Sequence, residues 1–251
     1  MNDQSFDTRR NFLRVAASVG AGLLINGCRS EGKSDEKSGV ISAKKDEEAK
    51  GGEVTATEDL MREHGILRRA LIIYSETAAK LRSSPSAVDP QTLQQTAKLF
   101  RAFGEEYHEK KLEEAFIFPA VKKAGGEAGG YADILLAQHQ RGREITDYIL
   151  AVTQSAKLGA ANGEALARAL DSLVRMYRSH AAREDTIVFP AWKQTLTAGQ
   201  LDEMNDKFED IEHEQFGEDG FEDAVKQIAG IEQTLGLADL ANFTAPPPPS
   251  R

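Results

Sequence analysis

The sequence predicts an all-α protein built on an up-down-up-down four-helix bundle, followed by additional C-terminal helices. Three observations carry that reading. Apolar residues recur at helical spacing through most of the chain, as in Leu60, Leu67, Leu71 and Tyr74, and again in Leu166, Leu170, Leu173 and Tyr177. Capping and proline signals stand at the expected starts of the helices. Strand signals are absent: no alternation is sustained, and no Asn-Gly turn is flanked by β-branched runs.

In the first helix, Thr55 and Glu58 form a capping-box pattern, and the helix is expected to fade at Ser83-Ser84-Pro85. Asp89-Pro90 opens the second as an N-cap with proline at the first helical position. That helix runs through Leu99, Phe103 and Tyr107 to Phe118-Pro119 and stops by Gly125-Gly126. The third is expected from about Tyr131 through Ile149, and the fourth from an Asn162 cap to Phe189-Pro190. A capping box at Thr197 and Gln200 opens a fifth, and a short sixth covers about Phe221 to Leu235. Phe100, Phe103, Phe116, Phe118, Phe189 and Trp192 are expected in the core.

Organisation along the chain follows composition. Residues 1–28 read as a targeting segment. Thr8-Arg9-Arg10-Asn11-Phe12-Leu13-Arg14 resembles a twin-arginine export motif, and the apolar stretch from Val15 to Ile25 is too short to span a bilayer. It ends at Leu24-Ile25-Asn26-Gly27-Cys28, which resembles a bacterial lipobox and marks Cys28 for lipidation. Such an anchor would hold the protein on the periplasmic side of a bacterial membrane. Residues 29–54, rich in Ser, Gly, Lys and Glu, are expected to form a flexible tether. Residues 55–196 would form the bundle, residues 197–240 a helical extension, and residues 241–251 a proline-rich tail.

Composition also excludes. A net charge of −9 is the wrong sign for a nucleic-acid-binding surface. A single cysteine leaves no disulfide framework and no cysteine-based zinc cluster, so any metal would take nitrogen and oxygen ligands. The acidic run from Glu203 to Glu214 lacks a calcium-loop pattern and reads as a solvated helix face. No P-loop, dinucleotide fingerprint or nucleophile elbow occurs.

The chemistry lies in the histidines. His64, His108, His139 and His180 each fall in a different bundle helix. His180 and Glu184 are four apart, about 40° round an α-helix, so both can reach one centre. The second helix ends as the fourth does: Glu113-Glu114-Ala-Phe-Ile-Phe-Pro119 parallels Glu184-Asp185-Thr-Ile-Val-Phe-Pro190 at an offset of 71 residues. Glu63-His64 and Gln138-His139 echo each other 75 residues apart. A helix pair has been duplicated, and duplication suits a site with two similar halves.

These residues, in this order, resemble the hemerythrin-like (HHE cation-binding) family over about residues 57–195. The resemblance implies two iron ions per chain, with His64, His108, His139 and His180 as terminal ligands and Glu113 and Glu184 as bridges. Zinc or manganese suits the same donors. It further implies O₂ or a related small molecule as ligand, for a carrier, store or sensor. A di-iron enzyme such as a peroxidase, a nitric-oxide-handling protein or a ferroxidase is the alternative. Two departures from the pattern stand out. His108 and Glu113 are five apart, about 140° on a regular helix, which requires a π-bulge or the substitution of Glu109. Leu135 stands where oxygen carriers place a further histidine, and His213, in Glu212-His213-Glu214, is the candidate replacement.

Overall fold

A computed structural model describes residues 54–155, 158, 160–218 and 220–249. Most of the targeting segment and tether, including Cys28, lies outside the described residues. Thr55 to the C-terminus forms one compact unit, and among its described residues there is helix and no strand.

Helix α1 (Ala56–Ser83) starts where Thr55 Oγ1 accepts the Glu58 amide at 3.4 Å. Helix α2 (Pro90–Leu99) starts at Asp89, whose carboxylate accepts the amides of Gln91 at 3.0 Å and Thr92 at 3.1 Å. These bonds satisfy amides that the first helical turn would leave unpaired. The chain then continues without a break as a π-helical stretch, π1 (Phe100–Ile117), and a short helix α3 (Phe118–Ala124). Gly125 and Gly126, at φ +78° and +69°, make the turn that only glycine adopts at little cost.

Helix α4 (Gly126–Val152) follows directly, five residues earlier than the sequence suggests. Helix α5 (Ala160–Arg183) also begins early, so Asn162 lies within its first turn instead of capping it. A second π turn, π2 (Glu184–Val188), leads into α6 (Phe189–Gln194). Helix α7 (Ala198–Phe216) opens on the reciprocal Thr197–Gln200 capping box, and α8 (Gly220–Leu235) ends the regular structure apart from a 3₁₀ turn at Leu240–Phe243.

The two π segments end in the same way. Phe118 N–H bonds to Glu113 C=O, and Phe189 N–H bonds to Glu184 C=O, each spanning five residues. A proline follows each phenylalanine. Its ring would clash with the carbonyl four residues back in an α-helix, and it has no N–H to give. The wider closing turn eases that clash at the end of each segment.

Helix α1 packs along α5, while α4 lies against α3, π1 and α5. Helices α7 and α8 cover the α1–α2–π1 side. Leu60, Ile73, Tyr74, Phe100, Phe103, Leu170, Leu173, Phe189 and Trp192 fill the centre. The extension is fixed by Trp192 stacking on Phe208 at 5.7 Å, by Phe116 against Phe208, and by the Arg69–Glu232 pair between α1 and α8. Among the described residues no helix is long and apolar enough to cross a membrane.

Phe208, on α7, is 4% exposed and packs its ring against Trp192 of α6 and Phe116 of π1. Truncating it leaves a cavity the fixed helices cannot close. Phe208→Ala is therefore expected to cost about 3–5 kcal/mol, read as a lower midpoint in urea denaturation with an unchanged slope.

Candidate metal centre

Six side chains converge at the middle of the bundle. They are His64 from α1, His108 and Glu113 from π1, His139 from α4, His180 from α5 and Glu184 from π2, and none is more than 3% exposed. Glu113 lies between two histidines, with Oε1 3.2 Å from His108 Nε2 and Oε2 3.3 Å from His139 Nε2. Glu184 does the same from the other half: Oε1 is 2.9 Å from His180 Nε2, and Oε2 is 3.4 Å from His64 Nε2. The five-residue step from His108 is accommodated by π1, so Glu113 and not Glu109 faces the centre.

The six residues sort into two overlapping sets. One donor atom each from Glu113, His139, His180 and Glu184 lies within 4.8 Å of the others, and so does one each from His64, His108 and Glu113. Each set contains two imidazoles, and the carboxylates reach both ends.

Every imidazole presents Nε2 inward and is held from behind at Nδ1. His64 donates to Asp185 at 2.7 Å, His108 to Glu63 at 2.7 Å, His139 to Glu114 at 3.0 Å and His180 to Gln138 at 2.9 Å. Carboxylates only accept, so they fix the proton on Nδ1 and leave the Nε2 lone pair facing the centre. The wiring repeats with the duplication. Glu63 and Gln138, each preceding a histidine of its own helix, hold the histidine of the next. Glu114 and Asp185, each following a central glutamate, hold the histidine of the opposite half.

This arrangement fits a bound cation and fits poorly without one. Both oxygens of Glu113, both of Glu184 and Nε2 of His108 are buried and make no hydrogen bond. Buried polar atoms rarely go unpaired. His139 Nε2 and His180 Nε2 face each other at 3.0 Å, where two lone pairs would repel unless a proton or metal lies between them. Protons stand in for metal charge in the metal-free state. Burial opposes protonation of His139, but the carboxylates of Glu109, Glu113 and Glu114 outweigh it and push its pKa up to about 10. His64 and His108 are raised against the same burial penalty, His64 by Asp185 and Glu184 and His108 by Glu113 and Glu63. An all-nitrogen-and-oxygen donor set with mixed imidazole and carboxylate suits iron, zinc or manganese.

Glu109 belongs to the surroundings. Its Oε1 accepts the Tyr177 hydroxyl at 2.6 Å, and Arg143 lies 3.3 Å from its other oxygen. The guanidinium of Arg143 also pairs with Glu114, so that acidic corner already has its cation. Helix α4 carries glycine at 142, where a side chain would overlap the Tyr177 hydroxyl. Tyr177, Leu67, Leu71 and Ala181 line a cavity of ≈ 10 Å³ against the histidines, about the space one water-sized molecule needs.

His213 does not join the six. Helix α7 turns its neighbour Glu212 into the core and leaves His213 half-buried outside both sets. One residue is 100° on an α-helix, so the two cannot face inward together. Leu135, at the position where oxygen carriers place a further histidine, is buried among apolar residues. The outer partners Glu63, Glu114, Gln138 and Asp185 have no individual sequence signal. Their common signal is position, directly beside a ligand in both copies of the repeat.

A family model, the hemerythrin HHE cation-binding domain, matches residues 55–192. The chain belongs to this family. It is 38% identical to the uncharacterized protein Mb2018 of Mycobacterium bovis and to the uncharacterized protein Rv1995 of Mycobacterium tuberculosis. Each comparison spans 237 residues, 94% of this chain and 90% of the relative. No solved structure matches the chain. As a member of the HHE family it carries a cation-binding domain, and the His/Glu sets described above are the residues that could hold the metal.

The raised histidine pKa values predict how metal and protons compete. Metal binding requires neutral imidazole, so loading should release protons near neutral pH, and affinity should fall as pH falls. Titration of the metal-free protein with ferrous iron in weak buffer, followed with a pH indicator, tests this. For folding, the sign follows from a folded-state pKa above the unfolded one. The His139 contribution is complete below about pH 6.5 and is lost as pH rises through about 10. Thermal melts of the metal-free protein should therefore fall between those limits.

Proposed function

We propose that this protein holds two iron ions between its four histidines and two central glutamates and brings O₂ or a related small molecule to them. The observation that carries the proposal is the pair of carboxylates: each reaches a histidine of its own repeat and one of the other, the geometry needed to bridge two ions. Bound iron supplies a redox-active centre with positions for a small ligand.

The residues do the rest. Asp185, Glu63, Glu114 and Gln138 hold the imidazoles in the ligating tautomer. Leu67, Leu71 and Ala181 give the adjoining small cavity an apolar wall beside the histidines, which suits a small uncharged ligand. The carboxylates of Glu63, Glu109, Glu113, Glu114, Glu184 and Asp185 outnumber the guanidiniums of Arg68 and Arg143, a surplus that suits two cations.

A second reading, a di-iron enzyme acting on peroxide, nitric oxide or ferrous iron, is favoured by one observation. A reversible O₂ carrier of this family type needs a further histidine ligand, and His213 stays outside the sets. Six ligand residues leave more of the metal surface open than seven, which favours turnover over simple storage.

The N-terminal motifs support a location for this activity. Arg9-Arg10 and the lipobox-like run before Cys28 fit an exported, lipid-anchored protein on the periplasmic side of a bacterial membrane.

Metal analysis with optical spectra before and after oxygenation tests the site. About two irons per chain and an oxygen-sensitive band are expected; one zinc or no metal would sink the proposal. Glu184→Ala should lower iron content to one ion or fewer, and His213→Ala should leave it unchanged. For the anchor, Cys28→Ser is expected to move the protein from the membrane fraction to the soluble one, and unchanged partition would refute lipidation.

A further inference from the structure

The C-terminal helices lie beyond the family match at residues 55–192, yet one of their side chains reaches towards the ligands. Glu212, on α7, is 2% exposed and directs Oε2 to the hydroxyl of Tyr107 at 3.3 Å. The same hydroxyl, on a fully buried ring, is 3.0 Å from Glu63 Oε1. The other oxygen of Glu63 accepts from His108 Nδ1 at 2.7 Å. A continuous path therefore runs from Glu212 through Tyr107 and Glu63 to a ligand histidine.

Glu212 is built into that place. Its Oε1 accepts the Phe221 amide at 2.6 Å, in the first turn of α8. Gly220 makes the approach possible: a Cβ there would come within 2.8 Å of Glu212 Cγ and Oε1. Phe103 and Phe216 pack on the Tyr107 ring at 5.5 and 5.3 Å and fix the direction of its hydroxyl.

A tyrosine hydroxyl has one proton to donate, and here two carboxylates compete for it. We infer that Glu212 is a positioning residue for the metal centre: by sharing the Tyr107 proton with Glu63, it sets how strongly Glu63 accepts from the ligand His108. The more Glu212 draws that proton, the more negative Glu63 remains, and the more electron-rich His108 Nε2 becomes. This inference rests on the di-iron reading above. The competing explanation is that Glu212 only anchors α8 through the Phe221 amide.

Two substitutions separate the explanations. Tyr107→Phe removes the shared hydroxyl and keeps the packed ring. Glu212→Gln keeps an acceptor for the Phe221 amide and removes the competing charge. The iron-loaded full chain is measured in three ways: midpoint potential by spectroelectrochemistry, ferrous-iron affinity by chelator competition, and thermal melting. Without its donor Glu63 gains charge, so Tyr107→Phe should lower the potential and tighten iron binding. Glu212→Gln returns the proton to Glu63, so it should raise the potential and weaken binding, with affinity changes on the order of tenfold. In the Tyr107→Phe background, Glu212→Gln should change neither quantity further, because the path is already cut.

Lower melting temperatures with unmoved potentials in both variants would reduce Glu212 to an anchor and overturn the inference. Shifts in the same direction would overturn it too. If Glu212→Gln does not fold, Tyr107→Phe alone decides, and an unchanged potential refutes the path. A wild-type chain that takes up no iron defeats the metal reading itself, and this inference with it.

Discussion

Four imidazoles and two carboxylates buried within a few ångströms of one another require positive charge between them, and the rest of the structure is arranged around that requirement. The central carboxylates exchange water for imidazole contacts at 2.9–3.4 Å. Burying such charges unpaired is among the largest penalties a fold can carry. The metal-free chain meets the requirement with protons, which is why His64, His108 and His139 hold theirs so firmly. A bound cation would meet it as well, and these are the groups that could hold one. The same six groups are thus a cost to folding and the basis of binding.

The duplication explains how one chain builds such a site economically in sequence. Each repeat supplies a histidine, a second histidine on the next helix, a glutamate in a π segment and Phe-Pro just after it. The proline acts on the backbone, and the backbone aims the glutamate. Because each central glutamate reaches across to the other repeat, neither half is complete alone. The outer ring crosses over as well, since Glu114 and Asp185 each hold the opposite half's histidine. Moving the two repeats apart would therefore disturb ligands and their supports together.

Much of this was legible in the sequence because it depends on local spacing. Histidine placement, the Phe-Pro endings and the caps at Thr55, Asp89 and Thr197 are short-range signals, and the structure follows them. The five-residue step from His108 to Glu113 read as a conflict, and its resolution by a π turn was available from the proline that follows. What could not be read was contact between helices. Nothing local says that Glu63 holds His108 and not its neighbour His64, because that depends on the separation of α1 from π1. Whether His213 faces the centre depends on the rotation of α7 about its axis, which places Phe208 and Glu212 in the core and leaves His213 half-buried. The early start of α4 follows from the positive-φ turn at Gly125 and Gly126, which lets one helix follow the other directly.

The symmetry is broken at one place, and the break has a physical meaning. Three of the four imidazoles are held by a carboxylate, and His180 is held by the amide oxygen of Gln138. A carboxylate partner makes an imidazole a stronger donor than a neutral amide does. The end built from His64 and His108 is held by two carboxylates, Asp185 and Glu63, the first shared with Arg68. The end built from His139 and His180 is held by one carboxylate, Glu114, and one amide, with Glu109 a further 3.9 Å from His139 and Arg143 shared between the two acids. Two chemically similar pockets are in this way made electrostatically unequal by a single position. The C-terminal helices reach, through Tyr107 and Glu63, the end whose two histidines are both held by carboxylates, so the extension touches the half of the centre that has no neutral amide behind it.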